Sequence, residues 1–278
     1  MLAINVSIIN ASTVLTDDQV EPAVAALQVQ LHRDFAPAWG LDATLTFVPS
    51  GAVADPASWW LAVLDNSDHA GALGYHDRTP AGLPQGKIFA GSDQLRGYNW
   101  TVTASHELLE MLADPDVTLT TFVQSDAHTS RLYAYEVADP CEADKYGYDI
   151  DGTTVSDFVF PAWFESFWAP GATQFDQQGL INAPLTVLAG GYASVFDLAS
   201  SAGWSQVFGR REDSTGTEYT YDMRAHLGSR RERRRTPRDQ WLASLPHTEI
   251  LSNAQRLRGG SPVGPGAGLS LTLGAHPQ

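Results

Sequence analysis

Thr103-Ala104-Ser105-His106-Glu107-Leu108-Leu109-Glu110-Met111-Leu112-Ala113-Asp114 reads as one amphipathic helix with an imidazole and two carboxyl groups on the same side. Residues three and four apart on a helix share a face, so His106 and Glu110 stack one turn apart with Glu107 beside them. Leu109, Leu112 and Ala113 are left to point into a core. A helix that holds a divalent ion for hydrolysis presents ligands at i and i+4 and a carboxylate directly after the first, in the pattern H-E-x-x-H. Here Glu110 stands where that pattern has its second His, giving H-E-x-x-E.

Upstream of this helix the chain alternates between strands and one long helix. Ile4 to Ile9 reads as a strand. Thr16 and Gln19 form a capping box that opens a helix carrying Val20, Val24, Leu27, Leu31 and Phe35 at helical spacing, to stop near Pro37 and Gly40. Strands follow at Ala43 to Val48, at Trp59 to Leu64 (apolar enough to be buried on both faces), at Ala72 to His76, and at Lys87 to Ala90 after a Gly/Pro-rich turn.

This element order, with the H-E-x-x-E core, resembles the N-terminal half of the zincin metalloproteases over residues 1–120. The stretch S-H-E-x-x-E-M-x-x-D-P and the later E-V-x-D-P segment are also similar to bacterial and phage-like sequences without an established activity. The zincin resemblance implies an α+β fold: a twisted mixed sheet under two main helices, followed here by a β-rich, irregular C-terminal half. It implies a bound zinc, and an edge strand ahead of the active helix that takes extended peptide by main-chain pairing. That edge strand is expected within Gly86 to Gly91, so a peptide or protein substrate would lie near Lys87-Ala90.

A working site needs a third ligand beyond His106 and Glu110. One zincin branch uses a downstream Glu, and Tyr135-Glu136-Val137-Ala138-Asp139-Pro140 fits it, with Glu136 as ligand and Asp139 orienting a ligand from behind. Another branch places the ligand six residues after the second; this points to Asp116, but Ala113 stands where that branch needs Gly. Asp114 reads as a helix-end residue before Pro115. Glu107 takes the role of proton carrier. One His and two carboxylates bring the net charge of a Zn2+ site near zero, which weakens the ion's pull on water and leaves room for Mn2+ or another hard divalent ion. Tyr146, Tyr148 and His76 are the candidate oxyanion donors.

The 278 residues are 43% hydrophobic and 10% aromatic, enough for a sizeable core. The single Cys141, read as a small buried residue, excludes an intrachain disulfide and a Cys-rich zinc site. The N-terminus has no basic region, and no stretch approaches the ~20 apolar residues of a membrane span. The expectation is a protein made in the cytoplasm with no membrane anchor, signal-independent release remaining open. A net charge of −15 argues against nucleic acid as a partner, although seven of the 17 basic residues cluster between Arg224 and Arg238. That Arg-rich segment, 223–258, reads as a docking element for an oligomer. Asp149 to Gly152 reads as a plain hairpin turn, and the aromatic run from Trp163 to Trp168 as core, a pocket for a sugar or peptide being the alternative. The organisation expected is a metal-site subdomain over 1–120, a β-rich subdomain over 121–222 packed on it, the Arg-rich segment, and a Gly/Pro-rich tail over 259–278. Two functional classes follow: a metal-dependent amide or peptide hydrolase, and a non-catalytic binding or structural protein of a phage particle or secreted assembly.

Overall fold

β1 (Ile4–Asn10) runs through the middle of the N-terminal half, buried from Val6 onward, with β2 (Ala43–Val48) and β3 (Trp59–Leu64) parallel on either side. The computed structural model describes residues 4–68, 72–79, 81–124, 129–165, 168–199 and 203–209, with a further strand at 220–222. β5 (Pro84–Phe89) extends the sheet parallel to β3, and β4 (Gly74–Arg78) closes it antiparallel to β5, giving the order β2-β1-β3-β5-β4. The fold is mixed α+β, as the sequence implied.

The edge strand is not where the sequence reading put it. Lys87 to Phe89 belongs to β5, an interior strand buried at every position, Ala90 opens the helix that follows, and the edge on this side is β4. The sequence reading makes the last strand before the active helix the edge, but β4 pairs on its far side; the buried Lys87 ammonium meets the Asp68 carboxylate. Burial pushes the Lys87 pKa down, and Asp68 holds the charge against it.

α1 (Asp17–Gln30) starts where the capping box predicts, with Gln19 Oε1 accepting from the Thr16 amide at 2.9 Å. It continues through one π-turn at Leu31–Phe35 into α2 (Ala36–Trp39) and ends on Gly40 in the left-handed region at φ 66°. α3 (Ala90–Arg96) is a short helix that the sequence reading took partly as strand; it lacks a periodic apolar face, and its start is fixed from outside by the Ser92 amide donating to Asp65 O at 2.9 Å. α4 (Trp100–Ala113) is the helix of the H-E-x-x-E stretch, capped by Asn99, whose side chain accepts from Thr101 N. Leu109, Leu112 and Ala113 are buried as expected.

A buried polar network locks α4 to α1. Ser105 Oγ donates to Gln30 Oε1 at 2.6 Å and accepts from Ser156 N at 3.0 Å, while Gln30 Nε2 donates to Ser156 O and to the Tyr148 hydroxyl. Replacing Gln30 with Met keeps the volume but strands these partners in a dry interior. Urea unfolding is expected to show a loss of about 2–3 kcal/mol, since each buried group left unsatisfied costs ~1–3 kcal/mol.

The C-terminal half is β-rich. β6 (Thr120–Gln124), β7 (Ser130–Ala134), β10 (Tyr192–Asp197), β11 (Trp204–Phe208) and β12 (Thr220–Asp222) form an antiparallel sheet ordered β12-β11-β10-β7-β6. β8 (Tyr148–Ile150) and β9 (Thr153–Val155) make the expected hairpin, turning on Asp151 and Gly152 at φ 51° and 85°. Val155 to Phe160 is not one strand. It leaves β9 at Val155 because the Ser156 and Phe158 amides are taken by side-chain acceptors, Ser105 Oγ and Asp157 Oδ1. Likewise β7 ends at Ala134, and the chain turns through a 3-10 turn at Asp139–Cys141, carrying Glu136 and Asp139 off the sheet. One apolar cluster spans both halves, from Val6 and Leu27 to Trp163 and Val195. Trp163, Phe164 and Cys141 lie within it, and Trp168 is exposed. The Arg-rich segment and the Gly/Pro-rich tail lie outside the described residues.

Asp157 and Asp176 are fully buried side by side, and burial with the neighbouring Asp176 pushes the Asp157 carboxyl up to about 8. A carboxyl whose folded pKa is raised holds its proton in the native state after the unfolded chain has lost it. Stability therefore falls as pH rises from about 4 to about 8 and levels off above. Asp157→Asn keeps the acceptor for the Phe158 and Gln178 amides. It is expected to flatten that slope and raise the melting temperature above pH 8, which thermal melts across the pH series would check.

Candidate metal centre

α4 lies across β4 and β5 and presents His106, Glu107 and Glu110 toward the strand edge. Gly74 makes this approach close: a Cβ there would sit 2.8 Å from Glu107 Cγ and 2.9 Å from Thr103 Cγ2. From the other side the turn after β7 brings Glu136, Asp139 and Glu142. That turn is itself pressed by Gly191, where a Cβ would stand 2.5 Å from Pro140 O. Val137 O accepts from Val159 N at 2.7 Å and Pro140 O from Leu188 N at 2.9 Å, so the turn is fixed at both ends.

Glu110 organises the cluster. Its Oε1 accepts from the amides of Ala138 and Asp139, both at 3.2 Å, which ties α4 to the turn. Its Oε2 stands 3.2 Å from His106 Nε2 and 3.7 Å from His76 Nδ1. Asp139 Oδ1 is 3.3 Å from the same His106 Nε2. His76, on β4 and fully buried, has Nδ1 3.3 Å from Glu107 Oε2 and Nε2 3.7 Å from Glu136 Oε2. Among the described residues two groups have ligand atoms all within 4.8 Å of one another: His76 with Glu110 and Glu136, and His106 with Asp139 and Glu142.

The residues expected as ligands, His106, Glu110 and Glu136, thus come into one cluster but divide between two imidazoles. Glu136 faces His76, and Asp139 takes the place beside His106. Asp116 lies outside, half-exposed and paired with Arg78. Asp114 caps the helix end, accepting from the Thr118 and Leu119 amides. Of the three candidate oxyanion donors, Tyr146 donates to Ala189 O and Tyr148 to Asp34 Oδ2, both structural, while His76 is at the centre. Sequence reasoning named His76 only as an oxyanion donor and did not single out Glu142. The signal available was that the Glu142 side chain follows the E-V-x-D-P segment by two residues and that β4 is the strand under α4.

Electrostatics favour a cation. Burial alone would push the His106 imidazole down, yet the Glu110 carboxylate and the Asp139 hydrogen bond outweigh it and hold His106 well above its ordinary value. Burial, with Asp139 adding to it, pushes Glu142 up to about 8. Both shifts are what carboxyls crowded round an imidazole produce without a metal. The spacing also suits an ion. Two ligands bound at ~2.0–2.2 Å to one tetrahedral ion stand roughly 3.3–3.5 Å apart. The 3.2 and 3.3 Å separations of Glu110 and Asp139 from His106 Nε2 are close to that.

His106 and Glu107 form one wall of a cleft of about 490 Å3. Leu73 to Tyr75 at the sheet edge, Glu142 to Asp144 and Tyr192 also line it. Comparison with known proteins returns no match: no family model, no curated protein and no solved structure matches the chain. Among the described residues no helix is long and apolar enough to cross a membrane.

Gly74→Ala is expected to lower any hydrolytic activity of this cleft by about 10- to 100-fold by displacing the Glu107 side chain, with bound metal retained. Steady-state kinetics beside metal content would check it.

Proposed function

We propose that this chain is a metal-dependent hydrolase of amide or peptide bonds, built on a zincin-like N-terminal half. The observation that carries the reading is the approach of the Glu110 and Asp139 carboxylates to the His106 imidazole, which lines the cleft together with Glu107. The sheet order supports it: four parallel strands end in an antiparallel edge strand, β4, that borders the same cleft. An extended peptide would pair with β4, not with Lys87-Ala90, and its carbonyls would pass along the His106–Glu107 face.

His106, Asp139 and Glu142 would hold the ion, with Glu110 Oε2 3.2 Å from the same imidazole nitrogen. Zn2+ suits one imidazole with carboxylates, and Mn2+ suits the oxygen-rich set as well. When bound, the ion supplies Lewis acidity toward a carbonyl and toward water. The protein's own residues do the rest. Glu107 accepts a proton from the attacking water and delivers it to the departing amine. His76 Nδ1, 3.3 Å from Glu107 Oε2, fixes that carboxylate in place. The amides of Ala138 and Asp139 hold Glu110 against rotation.

The test is hydrolysis of a mixture of quenched fluorescent peptides by the full chain. Cleavage abolished by a chelator and restored by Zn2+ or Mn2+ is the expected result. Metal bound without cleavage of any peptide in the mixture would count against a peptidase and favour a non-catalytic binding protein.

A further inference from the structure

Resting on the metal centre proposed above, we propose that the chain binds a second divalent cation, held by His76, Glu110 and Glu136, with Glu110 shared between the two ions. The pocket is sealed: His76, Glu110 and Glu136 are 0%, 2% and 3% exposed, whereas the His106 imidazole opens on the cleft. Their ligand atoms lie within 4.8 Å of one another. His76 Nε2 stands 3.7 Å from Glu136 Oε2, longer than the ~2.7–3.2 Å of a good hydrogen bond and close to the span across a bound ion.

The other ring nitrogen supports the assignment. His76 Nδ1 faces Glu107 Oε2 at 3.3 Å. A metal-bound imidazole commonly donates its second N–H to a carboxylate and ligates through the other nitrogen. Here that nitrogen is Nε2, directed at Glu136. Glu110 reaches both groups: its Oε2 is 3.2 Å from His106 Nε2, its ligand atom lies within 4.8 Å of those of His76 and Glu136, and backbone amides fix its Oε1.

Charge gives an independent reason. Glu107, Glu110, Glu136 and Asp139 are all buried around the two imidazoles. In their ionised forms these four carboxylates would balance the charge of two divalent ions. Burying net charge in a protein interior is costly. The pocket's donors, one imidazole nitrogen and carboxylate oxygens, take Zn2+ or Mn2+. Through His76, the inner ion would also set the orientation of Glu107, so the inner site positions the proton carrier of the outer one.

The experiment loads chelator-stripped full-length protein with Mn2+ alone and measures bound metal by elemental mass spectrometry after removal of excess. Wild type is expected to retain about two ions per chain. His76→Asn and Glu136→Gln are each expected to retain about one, with circular dichroism confirming a folded chain. An experiment on wild type alone needs no variant: the sharp Mn2+ resonance at one equivalent should broaden at two, because a shared carboxylate couples the ions. One ion in wild type, kept in the His76 and Glu136 variants and lost in His106→Asn, would overturn the second site and leave the hydrolase reading standing. Two ions without coupling would overturn the sharing of Glu110. No bound ion at all would overturn both readings.

Discussion

Glu107→Gln is expected to cut peptide hydrolysis by about 100- to 10,000-fold while leaving the bound ion in place, the range that general acid–base groups contribute. Glutamine keeps the shape of the side chain and still offers an oxygen to His76, so the packing against Gly74 and Thr103 is preserved. What it loses is the capacity to take and return a proton. His106→Asn should abolish activity through loss of the ion, so metal analysis separates the two variants. An activity for Glu107→Gln within a few-fold of wild type would remove Glu107 from the chemistry and with it the reason for reading the helix as catalytic.

Trp163→Ala is expected to destabilise the fold by about 3–5 kcal/mol, the range for emptying a buried large aromatic position. Trp163 is 1% exposed, donates its indole N–H to Thr186 O at 2.8 Å and meets the edge of Phe164 at 4.8 Å. Phe164 stacks on Tyr135 at 4.3 Å, and Tyr135 meets Trp39, at the end of α2, at 5.3 Å. The aromatic chain therefore fastens the C-terminal half to the first sheet's helices, and the loss should appear as one cooperative transition. At 2–4 °C per kcal/mol for a chain of this size, the melting temperature should fall by about 10 °C. A second, independent transition in the variant would show that the halves are separable units.

The strongest local signals in the sequence survive in the structure. The capping box at Thr16 and Gln19, the stop at Gly40, the buried strand at Trp59 and the Asp151-Gly152 turn each depend on a few neighbouring residues, and each lies where the sequence put it. The edge strand was misplaced because strand order is a long-range property. Nothing in Lys87-Ile88-Phe89-Ala90 tells whether another strand lies beyond it. α3 was missed because seven residues held by outside contacts carry no periodic pattern of their own.

The site was partly legible for the same reason. His106, Glu107 and Glu110 lie within one turn of helix, so spacing alone places them together. Glu136 and Asp139 arrive through a turn whose direction is set by amides of Ala138 and Asp139 bonding to Glu110, and no local rule decides which of the two meets His106. His76 is 30 residues from His106 and became a neighbour only once β4 was placed at the edge under α4.

The central claim, that α4 holds a catalytic ion, is tested most directly by the metal content of the purified full-length protein beside a His106→Ala/Glu110→Ala variant. Elemental mass spectrometry should find at least about one equivalent of zinc or manganese in wild type and little or none in the variant. No metal in wild type after incubation with both ions, or equal metal in both proteins, would contradict the account.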